Sequence, residues 1–123
     1  MKFAKYTFLI AGIYGLLALI PQYFLENKIG IDTPPSITHP EFFYGFIGVA
    51  IAFQLVFLVI SRDPQKYRLL ILPSIVEKFS FAIPAAILFA TGRLNTQMFA
   101  AGMIDGVLGL LFVVCWFKIR AAD

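Results

Sequence analysis

In the stretch SIVEKFSFAIP, residues 74–84, Glu77 and Lys78 stand side by side inside a 23-residue apolar run from Leu69 to Thr91. A carboxyl and an ammonium set in hydrocarbon can pair with another charge, bind a proton, a cation or a polar headgroup, or serve as acid and base on a lipid. Asp105 adds a third ionisable group in another apolar run, and Gln54 and Tyr14 add polar groups in two more. At a helical rise of 1.5 Å, Glu77 and Lys78 lie roughly 12 to 14 Å in from Leu69, Asp105 roughly 18 Å from Phe117, Gln54 roughly 10 Å from Ser61 and Tyr14 roughly 12 Å from Tyr6. All five fall near the middle of their segments.

An isolated Asp or Lys at the centre of a membrane helix costs about 2.5 to 3.5 kcal/mol, so these groups are expected to face one another. Adjacent positions diverge by about 100° around a helix, which argues against a Glu77–Lys78 pair. Lys78 is therefore expected to meet Asp105 across two helices. Glu77 is left without a cation, and is expected to be neutral, donating a hydrogen bond to Gln54, Tyr14 or a backbone carbonyl freed near Pro73. The alternative is a net negative cluster that takes up a proton, a cation or a polar headgroup.

Four segments have the length, about 20 helical residues, that a hydrocarbon core of roughly 30 Å requires: Tyr6–Leu25, Phe42–Ser61, Leu69–Thr91 and Met98–Phe117. The composition agrees, with 60% hydrophobic residues, 14% charged and a mean hydropathy of +0.86 over 123 residues. The fold class expected is an all-α integral membrane four-helix bundle, one transmembrane domain over 1–123, up-down-up-down because the connections are short apart from the first. Strict alternation over segments of about ten residues, the mark of a β-barrel, is absent. The lysine-rich opening also begins like a secretory signal, but its apolar segment is longer than such a core and no small-residue cleavage pattern follows.

The net charge of +3 does not mark a nucleic-acid binder, because the ten basic residues are scattered between apolar runs. They report topology. Lys2, Lys5, Arg62, Lys66, Arg68, Lys118 and Arg120 fall on one side, Lys28 and Arg93 on the other, which places both termini in the cytoplasm. Thr38 with Glu41 reads as a capping box, Asp63-Pro64 as the start of a helical turn, and Pro73 and Pro84 as bends in the third segment. In the fourth, Gly102 and Gly106 in GxxxG spacing, with Gly109, form a small surface for close approach to the third helix or to another subunit.

No nucleophile triad, phosphate loop or metal-binding helix motif is present, and no catalytic residue is assigned. One histidine, His39, and one cysteine, Cys115, make no metal site; Cys115 reads as a packing residue. No cofactor is implied.

Across the chain, the four spans, the turn RDPQKYR and the stretches EKFSFAIPAAILFATGR and GMIDGVLGLLF resemble small uncharacterised bacterial membrane proteins of the broad DoxX-like type. The resemblance implies a bacterial inner-membrane protein and a partner of respiratory or redox complexes. It carries over no functional residue. The leading expectation is a non-enzymatic accessory subunit or binder of a lipophilic molecule, in contact with membrane lipids and with other subunits or a second copy. The alternatives are a dimeric proton-coupled transporter and a membrane enzyme acting on a lipid or sterol through buried carboxylates. Small multidrug transporters also have four helices, but their essential carboxylate lies in the first helix, which here has no acidic residue.

Overall fold

The computed structural model describes residues 2–122, which contain helices and no strand. In chain order these are α1 (Lys2–Leu19), a 3-10 turn (Ile20–Phe24), α2 (Glu26–Asp32), α3 (Pro40–Arg62), a second 3-10 turn (Arg68–Leu70), α4 (Ile71–Ala90) and α5 (Thr96–Ala122). Four stretches are long and apolar enough to cross a membrane: Lys2–Phe24, Pro40–Arg62, Arg68–Ala90 and Thr96–Arg120. They overlay the four apolar segments of the sequence, with ends moved by prolines and caps.

Proline explains most of the shifts. The α-helical part of the first span stops at Leu19 instead of reaching Leu25, because Pro21 has no amide to donate and the chain tightens into a 3-10 turn. Pro73, expected to bend a helix interior, lies in the first turn of α4, where a missing amide costs nothing. Pro84 alone sits inside that helix. The Thr38–Glu41 capping box does not form. Pro40 opens α3 with its preset φ, so the residue before it, His39, becomes the cap and its carbonyl accepts the Phe42 and Phe43 amides at 3.0 and 3.1 Å.

Other local signals hold. Asp63 Oδ1 accepts the Lys66 amide and the Asp63 carbonyl the Tyr67 amide, both at 3.1 Å, closing the helical turn expected in DPQKYR. Asn95 Oδ1 accepts the Met98 amide at 2.8 Å and starts α5 at Thr96, two residues before the expected Met98. One element was not anticipated: α2, in the first connection, carries an exposed Lys28–Asp32 pair at 2.8 Å and i,i+4 spacing. The Asp32 carboxylate holds the Lys28 ammonium above its ordinary lysine value.

Packing is dominated by two helix pairs, α1 with α3 and α4 with α5. Along the first span, Phe8 and Gly15 of α1 and Tyr23 of the 3-10 turn meet Phe57, Gln54 and Gly48 in turn; along α4, Lys78, Ala82 and Ala85 meet Gly109, Gly106 and Gly102. Residue numbers rise along one partner as they fall along the other. A single buried cluster joins all four long helices: Ala4, Phe8 and Ala11, then Phe57 and Ile60, Ile71, and Phe112, Cys115 and Ile119. At its centre the Phe8 ring stacks on Phe112 at 4.2 Å and Phe112 meets Phe57 edge-on at 5.0 Å. This shared core fills the half of the bundle nearest the Asp63–Tyr67 turn, and its upper surface positions the polar groups.

Candidate functional site

Lys78 lies on α4 one turn before Ala82, and its stem packs against Gly109 of α5, which has no side chain to displace it. The ammonium comes to rest above the shared core, 5.2 Å from the Phe57 ring centroid. From there Nζ donates to Asp105 Oδ1 at 3.2 Å and lies 3.7 Å from Glu77 Oε2. The Lys78 side chain is 3% exposed, against 18% for Glu77 and 19% for Asp105, so the cation is the enclosed member and the two carboxyls rim it. The Lys78–Asp105 contact is the pairing that helix depth indicates.

Glu77 departs from expectation in both respects. It does not lack a cation, because the four-carbon lysine stem curls back past the divergence of adjacent positions and brings Nζ within ion-pair distance. Nor does it donate to Gln54, Tyr14 or a carbonyl near Pro73: Oε2 is enclosed and has no hydrogen-bond partner. Gln54, 1% exposed, turns its Nε2 onto the Ala50 carbonyl of its own helix at 2.8 Å, and its Oε1 is likewise enclosed without a partner. Its amide occupies the space that a side chain at Gly15 would fill. Tyr14, 38% exposed on the outer side of α1, lies within electrostatic reach of Asp105. Gln54 beside Gly15 and Asp105 near Tyr14 thus stand at the same level of α1, and the polar groups of the four long helices share one layer.

No protein-family model matches the chain, and no curated relative or solved structure matches it. The chemistry must therefore be read from the layer itself.

Two carboxyls share one ammonium, so the layer carries one acidic group more than its lysine neutralises. Two enclosed acceptors are under-satisfied: Gln54 Oε1 has no hydrogen-bond partner, and Glu77 Oε2 has no hydrogen bond and only the Lys78 ammonium 3.7 Å away, although enclosed acceptors are ordinarily satisfied. Such a layer suits a donor, whether a hydroxyl, an amine or a proton. It does not suit another anion. Among the described residues no group of three or more His, Cys, Asp or Glu could hold a metal ion. His39 pairs with Glu41 at 3.2 Å on an exposed surface, remote in sequence and fold from the layer.

The three glycines of α5 divide by geometry. A Cβ on Gly102 would stand 2.6 Å from Ala85 Cβ, and one on Gly109 2.9 Å from the Phe79 ring, whereas one on Gly106 would make an ordinary 3.6 Å contact with Ala82. Gly102 and Gly109 are therefore the close-approach positions. Sequence reasoning missed Gly12 and Gly15 of α1, which admit Leu58 and Gln54 of α3 in the same way. Their signal is the run of small residues Ala4, Ala11, Gly12 and Gly15, all on the buried face of one helix.

Proposed function

We propose that this chain is an up-down-up-down integral membrane protein, both termini cytoplasmic, that binds a lipophilic molecule by a hydrogen-bond-donating head in the Glu77–Lys78–Asp105–Gln54 layer, acting as a non-enzymatic binder or accessory subunit. The opposed residue numbering within both helix pairs supports that topology, as does the excess of Lys and Arg beside the termini and the Asp63–Tyr67 turn. The DoxX-like resemblance of the sequence and a bacterial inner membrane belong to the same proposal.

The observation that carries the reading is the pair of enclosed acceptors, Glu77 Oε2 and Gln54 Oε1, at one level of the bundle. An unsatisfied buried acceptor costs about 1 to 3 kcal/mol, which a hydroxyl or amine donor on a bound molecule would recover. Native mass spectrometry of the protein purified gently from its own membrane tests this. A single lipophilic molecule carrying a hydroxyl or amine is expected to co-purify and to be lost in Glu77→Leu, a variant that removes an acceptor without a hydrogen bond while Asp105 still pairs with Lys78, and so keeps the fold. Retention of the molecule by that variant, or foreign subunits at fixed stoichiometry with no small molecule, would remove the binding reading.

The uneven charge of the layer favours a second reading, a homodimeric transporter in which the surplus acidic group carries a proton. Proton-dependent uptake into liposomes, abolished by Glu77→Gln, would establish it over simple binding.

A further inference from the structure

Away from the polar layer, a cleft of about 390 Å³ lies between α1 and α5, walled by Phe3, Tyr6, Ile10, Leu108 and Leu111 with Lys2 at one end. Its volume falls within the roughly 300 to 1,000 Å³ typical of small-molecule sites. The walls are almost wholly apolar, and from Lys2 to Ile10 the cleft follows α1 for roughly 12 Å, the shape of an acyl-chain segment and not of a compact solute. Charge gathers at one end only. Besides Lys2, the Lys118 ammonium lies 4.9 Å from the centroid of the Phe3 ring, itself a wall of the cleft. Among the described residues, neither lysine has a carboxylate partner. Arg120, over Trp116 at 5.9 Å, marks the same end of α5 as basic and aromatic, the pattern of a membrane–water interface.

We propose that this cleft is a binding site for an anionic glycerophospholipid, one acyl chain lying along Phe3, Tyr6, Ile10, Leu108 and Leu111 and the phosphate between Lys2 and Lys118. The two ammoniums, which face no carboxylate among the described residues, select the occupant. Apolar walls alone would admit any lipid tail, but a zwitterionic choline head would bring its own cation against both lysines, whereas an anionic head offers them a phosphate with no cation beside it. The site is separate from the polar layer: Leu108 and Ile10 lie about one helical turn short of Asp105 and Tyr14, and the two proposals stand or fall independently.

The test is native mass spectrometry of the full chain released from phosphatidylcholine nanodiscs containing a graded fraction of phosphatidylglycerol. One phosphatidylglycerol is expected to be retained in preference to phosphatidylcholine. Lys2→Gln and Lys118→Gln should each weaken that retention about fivefold, as expected for an interfacial lysine. Lys66→Gln, whose ammonium lies over Tyr67 away from the cleft, should leave it unchanged. Leu111→Trp should abolish retention by filling the cleft with both lysines intact. Equal retention of the two lipids, an equal loss in Lys66→Gln, or full retention in Leu111→Trp would overturn the proposal.

Discussion

Lys78 is the residue on which the polar layer depends, because two carboxyls share its ammonium. Lys78→Met is expected to lower stability by about 3 kcal/mol, since removing one partner of an enclosed pair strands the other. Asp105→Asn should cost less, because Glu77 still stands beside the lysine; denaturation in detergent followed by near-UV circular dichroism would rank them. Glu77→Leu should be neutral or stabilising in the same assay. That inversion, a polar group whose loss helps the fold, is what separates a binding residue from a structural one. The Lys78–Asp105 contact was legible in the sequence because depth along a helix is simple arithmetic. The positions of Glu77 and Gln54 were not, because they turn on where flexible side chains come to rest: a lysine stem curling back, and an amide choosing the Ala50 carbonyl of its own helix.

Among the elements, α4 and α5 meet through glycines whose spacing names the helix but not the contact. GxxxG pairs Gly102 with Gly106; the crossing of the helices instead presses Gly102 onto Ala85 and Gly109 onto Phe79. Gly102→Ala is expected to destabilise by about 1 to 3 kcal/mol through overpacking. Gly106→Ala should be neutral or gain up to about 1 kcal/mol from helix propensity, and a melting series in detergent would distinguish the two. On α1, Gly15→Ala should evict the Gln54 amide and so disturb the polar layer from outside it, readable as loss of the co-purifying molecule. The four long helices were legible from apolar length, whereas the short, polar α2 was not. Helix ends were not wherever proline decided them, since Pro21, Pro40 and Pro73 each act through the backbone geometry of a neighbouring turn.

For the whole molecule, single cysteines introduced at positions 5, 66 and 120 should react with a membrane-impermeant reagent only from the cytoplasmic side, and those at 28 and 93 only from the opposite side. Cys115 is buried in the shared core and should stay silent in that map. The four-span architecture could be read from composition and spacing, because lipid leaves a chain this apolar few alternatives. Of the bundle's two tight pairs, α4 with α5 was expected from Gly102, Gly106 and Gly109, whereas α1 with α3 was not, since it depends on which small residues find which neighbours. That division has a consequence for how the protein can be made. α1 with α3 and α4 with α5 hold most of the contact, and the chain passes between the pairs once, through Asp63–Tyr67. Two half-genes encoding 1–64 and 65–123, expressed together, should therefore yield fragments that insert separately and reassemble through Phe8, Phe57 and Phe112, recovered as one species by a tag on either half.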